Sequence, residues 1–431
     1  MKKITTLLCL LLALSFTLSS NSCKKKQPTI TAHVESNAEK RQAIQSAYKS
    51  DGKFSDTGKE KKIAEKVLKR LSLAYKNKDI KEIKEVYTYE TLLNQCFEKI
   101  DHDFSVKSKR ATIRRLSHAF AISMIKSSED LGFDVTSIYK IEKLSDTNFI
   151  CYTKEWDKEQ ESYTNTRWWF IEEASAKSNQ WKIYDEETIG GELRLSTHFI
   201  IHYSARLQKA PWPKHFTQFF EIYNNSDEAT EADFALLPDL IKKIDDSAAP
   251  EELKTIANTK YTYLLYFHEQ FEDSITLANI QLAKDPNLSY LYYYLALNYK
   301  EMGKYDEAIE QLENYSDFMG VDSEILMELA DIYYLKEDFQ KSKELSLQGL
   351  EMNPLHSNCL ASYAVVCDKA EWPELIKRIK DTEKELSAYE TLIDYAIDED
   401  KNELAQWLFT HFKEKYPDET DLIEYYEGEF K

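Results

Sequence analysis

The stretch SYLYYYLALNYKEMGKYDEA, residues 289–308, decides how most of the chain folds. A step of thirty-four residues in either direction meets the same features again. Tyr305 falls on Phe339 one way and on Phe271 the other, and Ala308 falls on Ser342 and Ser274. Leu295 matches Leu329 and Tyr261, Ala296 matches Ala330 and Thr262, and Tyr299 matches Tyr333 and Leu265. Pro286 and Pro354 stand two periods apart. Small and aromatic residues kept in one register, with Pro closing the unit, are the pattern of helix pairs stacked as a solenoid, because each pair covers its apolar face only with a neighbour.

These residues resemble the tetratricopeptide repeat family. The resemblance implies units at about 255–288, 289–322 and 323–356, a degenerate unit near 357–385 that holds Trp372, and a clearer unit over 386–419. Leu392, Ala405, Phe409, Phe412 and Pro417 carry the register of that last unit. A polar-faced helix over 421–430 is expected to cap the stack, since an end repeat otherwise exposes its apolar side.

The composition bounds the rest. A chain of 431 residues with 42% hydrophobic content is long enough for more than one domain, and 9 Gly with 9 Pro suit helices better than a β-sandwich. The net charge of -19 argues against nucleic-acid binding, which needs a basic surface to neutralise phosphate. Of the six Cys, Cys9 and Cys23 lie near the N-terminus, and Cys96, Cys151, Cys359 and Cys367 show no metal-site spacing. Cys359 and Cys367 on one helix would stand about 12 Å apart, too far to bridge. Buried free thiols are therefore expected, with a Cys96–Cys151 disulfide as the alternative.

The N-terminus begins with Lys2 and Lys3, continues with an apolar run over 7–18, and reaches Ser19-Ser20-Asn21-Ser22-Cys23. This reads as a secretory signal, too short to span a bilayer permanently. Its end resembles the lipobox of bacterial lipoproteins of the Bacteroidetes kind, although Asn21 departs from the strict pattern. The resemblance implies that Cys23 is lipidated and that the chain is anchored outside the cytoplasm. Lys24 stands where an inner-membrane retention signal would want Asp, so the outer membrane, facing the periplasm, is expected. An ordinary secreted protein with an incidental Cys is the alternative. Residues 24–60 are polar and aperiodic and read as a tether.

From Lys61 onward Ile63, Val67, Leu68, Leu71 and Ala74 fall on one helical face. A second helix is expected from Asp79-Ile80 and a third through Ile113, Leu116, Ala119 and Phe120, ending before Gly132. The period then changes to that of strands over 137–144, 149–156, 164–171 and 181–184. Helices followed by a meander of strands predict an α+β unit with one covered sheet face. The order, with Ala74–Asp79 closing the first helix and Gln180-Trp181-Lys182-Ile183-Tyr184 closing the sheet, resembles the nuclear-transport-factor-two-like cone fold over about 61–187. That fold often encloses a pocket. Adjacent Trp168 and Trp169 should face opposite sides of a strand, and core packing is the simpler role for them. His118, near the stripe of the third helix, lacks an identifiable carboxylate partner for acid–base work.

Connecting helices are expected over 191–254, with Pro238 trimming or kinking the start of one. His198 and His202 have the i, i+4 spacing of a helical metal pair, but Phe199 stands where a zinc protease needs Glu, so packing is the better reading.

The fold class is thus an α+β cone-like domain followed by an all-α tetratricopeptide-type solenoid, mostly helical overall. Carried over residue by residue, the family's groove positions are Thr259, Tyr263 and Tyr266, then Tyr290, Tyr293 and Leu297, then Met327, Asp331 and Tyr334, and finally Glu390 and Asp394. The Lys and Asn that clamp a C-terminal carboxylate in well-known members are missing here. A Tyr-rich surface running into carboxylates suits an extended segment bearing basic or aromatic side chains. The expected function is a membrane-anchored, non-catalytic scaffold that binds a protein or extended peptide, without cofactor, metal or nucleic acid. A glycan- or small-ligand-binding lipoprotein using the N-terminal pocket is the alternative.

Overall fold

The computed structural model describes residues 58–99, 105–128, 137–157, 162–173, 180–189, 194–208, 213–226, 230–381 and 385–430. The leader, Cys23, the tether up to residue 57 and the Gly190-Gly191 pair lie outside the described residues. The chain divides into two compact units. One comprises the described residues up to Asp157 with Tyr163–His268 and Asn279–Leu288; the other comprises Glu269–Ala278 and Ser289–Lys431.

The first unit opens with helices α1 (Gly58–Lys76), α2 (Ile80–Val86), α3 (Tyr89–Lys99) and α4 (Val106–Ser128). The predicted stripe of α1 is buried at Val67, Leu68, Leu71 and Ala74, as its 3.6-residue period demands. Asp79 caps α2 by accepting the Glu82 N–H at 3.0 Å. Helix α3 was not expected from the sequence; it buries Tyr89, Leu92, Leu93, Cys96 and Phe97.

Strands β1 (Ser137–Lys143), β2 (Asn148–Asp157), β3 (Ser162–Glu173) and β4 (Gln180–Ile189) follow as a single antiparallel sheet in the order β1-β2-β3-β4. Phe149, Cys151, Trp168, Phe170 and Ile183 join the α1–α4 core from one sheet face. A bulge between Trp169 and Phe170 leaves Tyr184 as the extra residue, because Phe170 pairs with Ile183 while Trp169 pairs with Asp185. Trp168 is buried in the core, and Trp169, pointing the other way, lies under the Arg194 guanidinium, 4.1 Å from its ring centroid. Arg194 in turn pairs with the buried Asp185.

Helices α5 (Leu195–Gln208), α6 (Pro213–Asn224), α7 (Glu231–Asp245) and α8 (Glu251–Phe267) complete this unit together with the C-terminal part of α9 (Phe271–Lys284). Pro238 does not trim α7. The helix starts earlier, at a Thr230/Asp233 capping box, and runs through Pro238 at the loss of one backbone hydrogen bond.

The second unit is a series of helix pairs: α10 (Ser289–Glu301) with α11 (Tyr305–Met319), α12 (Ser323–Leu335) with α13 (Phe339–Met352), α14 (Ser357–Val366) with α15 (Trp372–Asp381), α16 (Glu385–Asp398) with α17 (Asn402–Lys415), and then α18 (Thr420–Glu429). The predicted repeat appears in its geometry. Ser289, Ser323 and Ser357 open successive first helices, and Phe271, Tyr305 and Phe339 open successive second helices. Ala296, Ala330 and Ala364, and likewise Ser274, Ala308 and Ser342, are buried where helices cross closely.

The turns after α8, α10, α12 and α16 are built one way, whereas α14 and α15 are joined through extended Cys367 and Asp368 and a short 3-10 turn over Lys369–Glu371. Glu269, Gly303, Glu337 and Asp400 all hold positive φ, between 56° and 70°. After Gly303 the Lys304 N–H returns to the Tyr299 carbonyl at 2.8 Å; after Glu337 the Asp338 N–H returns to Tyr333 at 2.9 Å; after Asp400 the Lys401 N–H returns to Ala396 at 2.8 Å. These are the six-to-one bonds of a helix C-terminus closed by a left-handed residue. Lys78, at φ 53°, closes α1 the same way, with Asp79 N–H on the Ala74 carbonyl at 2.8 Å.

The four Cys of the described residues are free, with Cys96, Cys151 and Cys359 buried, so the Cys96–Cys151 bridge does not form. Gly349 on α13 faces Cys359 on α14 so closely that a Cβ there would sit 2.6 Å from the sulfur. The Cys359 thiol donates to the Ser323 carbonyl at 3.1 Å.

Candidate functional site

Helix α12 carries Glu324, Glu328 and Asp331 at spacings of four and three residues, which brings the three carboxylates to one face. Helix α10 answers from the preceding pair. The Tyr293 hydroxyl lies 3.2 Å from Glu328 Oε1 and 3.3 Å from Glu324 Oε1, and Lys300 Nζ lies 2.7 Å from Glu328 Oε2. The following helices supply two more donors. Ser362 Oγ of α14 donates to Asp331 Oδ1 at 2.6 Å, and Tyr395 Oη of α16 donates to the same oxygen at 3.0 Å. Two sets of bonds on one helix, at Glu328 and at Asp331, therefore tie α12 to α10, α14 and α16.

Three carboxylates crowd this face of α12, and their charge is felt locally. Burial, reinforced by the Glu328 charge, pushes the Asp331 carboxyl up to about 6. The Tyr293 phenol is raised well above its usual value by burial and then by Glu328 and Glu324. Tyr395 is raised by burial and by Asp331, so both phenols remain donors at neutral pH. Glu328 and Lys300 are largely buried as an ion pair, at 9% and 17% side-chain exposure.

The other groove positions fall as follows. Tyr290 is half-buried, its ring 5.8 Å from Tyr315 and 6.3 Å from Tyr294. Tyr334 is half-buried against Phe339 at 5.4 Å, with Lys401 Nζ 5.6 Å above its ring, and burial with the Glu399 charge lifts its phenol to about 12. Glu390 is half-buried and its carboxyl is raised by burial and by Asp394. Asp394 is exposed and accepts from Tyr426 Oη at 2.9 Å. Leu297 and Met327 line the same helices, buried and half-buried. Tyr263 and Tyr266 belong to the first unit with Thr259; Tyr263 stacks on Phe267 and meets Tyr223 edge-on at 6.2 Å, and Thr259 bonds Gln281 at 3.2 Å. Within the second unit Tyr293 and Asp331 thus bond to or lie on the carboxylate row of α12, while Tyr290, Tyr334, Glu390 and Asp394 have separate partners. Reading by groove position missed Lys300, Glu324, Glu328, Ser362 and Tyr395. Glu324, Glu328 and Asp331 were visible as a helical i, i+4, i+7 carboxylate row; the two hydroxyls had no local signal.

His118 is exposed, which leaves it without the enclosed setting a general base needs. The side chains of His198 and His202 lie outside the described residues. Among the described residues no three His, Cys, Asp or Glu side chains converge as a metal site requires.

No protein-family model and no curated protein matches this chain. Among solved structures it is similar to MamA, at 17% identity over 39% of this chain and 94% of that one, with a TM-score of 0.30. It is also similar to YrrB, described as a TPR protein with an unusual peptide-binding site, at 13% identity over 43% of this chain and 94% of that one, with a TM-score of 0.29. A third is a thermophilic TPR protein of Thermus thermophilus, at 15% identity over 41% of this chain and 98% of that one, with a TM-score of 0.31. The helix pairs, their period and their turns are those of a tetratricopeptide-type solenoid.

Proposed function

We propose that this protein is a non-catalytic scaffold of the bacterial envelope whose solenoid holds an extended segment of a partner protein. The supporting observation is the Glu324–Glu328–Asp331 row on one face of α12, with Tyr293 and Tyr395 bonded to it. A guanidinium or ammonium from a partner would suit the carboxylate Asp331, and the flanking phenols offer rigid apolar faces with polar tips. The test is selection of peptides from a random library on the full chain, followed by fluorescence anisotropy. Enriched peptides should carry Arg or Lys, bind at least ten-fold more weakly to Asp331→Asn, and lose affinity below pH 6 as Asp331 protonates. Peptides without basic residues, or affinity indifferent to Asp331→Asn, would remove this site from the reading.

Anchoring through a lipidated Cys23 at the outer membrane, facing the periplasm, belongs to the same proposal. It is supported by the charged start, the short apolar run and the Lys that follows Cys23. No helix among the described residues is long and apolar enough to cross a membrane. Metabolic labelling with a tritiated fatty acid should mark the chain and not its Cys23→Ser variant; equal labelling sinks the anchor. We read the first unit as nuclear-transport-factor-two-like, on the order of its helices and four-stranded meander. A second reading, binding of a small ligand or glycan inside that unit, is favoured by one observation: a buried glutamate oxygen without a partner at Glu155.

A further inference from the structure

Alternation along β2 sends Phe149, Cys151, Thr153 and Glu155 to the helix-covered face of the sheet. The first three suit that place: two are core, and Thr153 Oγ1 accepts the Trp168 indole N–H at 2.8 Å. Glu155 does not. Its residue exposure is 8%, and its Oε1 has no hydrogen-bond partner. The β4 bulge brings a second carboxylate to the same face, because Glu186 pairs with the core residue Trp168. Glu186 is half-buried and accepts from Tyr87 Oη.

Three tyrosines from the helical layer close over this pair. Tyr75 ends α1, Tyr87 follows α2, and Tyr89 opens α3; their exposures are 6%, 2% and 3%. The Tyr87 and Tyr89 rings stack at 5.1 Å, Tyr89 rests on Phe120 of α4 at 5.6 Å, and the Tyr75 and Tyr87 side chains hydrogen-bond. Burial and the charge of Glu186 together push the Glu155 carboxyl up to about 8. Burial and Glu186 also raise the Tyr87 phenol well above its usual range. The cluster is thus two carboxyl groups and three neutral phenols, with the Phe120 ring against Tyr89.

Burying a carboxyl without a partner costs several kcal/mol, and a fold devoted only to packing would place an apolar residue there. From Glu155's unpartnered oxygen, Glu186 beside it and the tyrosine enclosure, we infer that the interior of the α+β unit is a binding site for a small organic cation, an alkylammonium whose nitrogen sits between the two carboxylates. Stacked phenol faces and a carboxylate are the chemistry that recognises an ammonium in an enclosed site. A metal ion would find two carboxylates only, short of a hard cation's usual oxygen set. A sugar would meet Glu155 in its protonated form and would release no proton on binding, which the titration below reads. The inference rests on the second reading above and narrows it to a ligand class.

The experiment is calorimetric titration of the full chain at pH 7 with butylammonium, putrescine, butanol and glucose, each in two buffers of different protonation enthalpy. The ammonium probes should bind and butanol and glucose should not. Since Glu155 is protonated at that pH without ligand, each ammonium bound should release up to one proton to the buffer. Glu155→Gln keeps the shape and mimics the protonated form, so it should stay folded, weaken butylammonium at least ten-fold and abolish proton release. Binding of glucose in place of the amines would overturn the cation inference and leave the small-ligand reading standing. Binding of none of the four, or amine binding unchanged in Glu155→Gln with native circular dichroism, would overturn both.

Discussion

At the residue scale, the left-handed turns give a direct comparison among positions in one chain. Gly303 meets the φ of 70° without cost, while Glu337 adopts 63° with a Cβ. Gly303→Ala should lower stability by about 1 kcal/mol, and Glu337→Gly should raise it by about 0.5 kcal/mol after the entropy of a freer unfolded chain is deducted. Urea titration followed by far-ultraviolet circular dichroism measures both. Glu155 gives the pH counterpart. Its folded value lies above its unfolded one, so the unfolded state loses its proton first, and stability is full below about 4.5 and falls until about pH 8. Glu155→Gln should therefore gain stability on the order of 1.4 kcal/mol per pH unit across that window, most at its upper end. An unchanged pH profile would mean the carboxyl is better solvated than its burial implies.

At the scale of elements, the Lys300–Glu328 pair ties α10 to α12. Lys300→Met alone leaves Glu328 uncompensated beside Asp331 and should cost about 3 kcal/mol, whereas Lys300→Met with Glu328→Leu should recover most of that loss. A double-mutant cycle in thermal melts reads the coupling. What the sequence made legible also sorts by element. The solenoid was readable because Tyr305, Phe339 and the small residues opposite them repeat a covalent spacing that any stable helix pair must honour. Helix α3 was not, since Leu92, Leu93, Cys96 and Phe97 form a short stripe whose meaning depends on α4 and α5 packing over it. The site divides in the same way. Asp331 and Tyr293 followed from groove position, but their partners Ser362 and Tyr395 come from helices 31 and 64 residues past Asp331, and no local pattern announces such meetings. Glu155 could not be flagged either: strand alternation places it inward, yet only the fold shows that the oxygen lacks a partner.

Across the molecule, stability of the second unit propagates through neighbouring pairs, so its last helix has an outsized role. Tyr426 of α18 is 1% exposed, lies 6.2 Å from Phe412 and 5.7 Å from Phe409, and hydrogen-bonds Asp394. Deleting residues 418–431 should uncover these rings at a cost of about 3 kcal/mol, visible as binding of a hydrophobic dye and as self-association on size exclusion. A deletion that remains monomeric and dye-silent would show that α17 caps the stack by itself.

The close approach of Gly349 to the Cys359 sulfur carries a consequence for how this sequence can drift. One wall of that contact is a hydrogen at position 349, and the other is a fixed thiol held by the Ser323 carbonyl. Gly349→Ala alone forces the two helices apart and should cost about 1–3 kcal/mol; joined with Cys359→Ala it should cost much less. The two sites are volumes in exchange. In any set of descendants of this chain, a methyl gained at 349 should be accompanied by a sulfur lost at 359, and the two positions should vary as a pair although ten residues separate them.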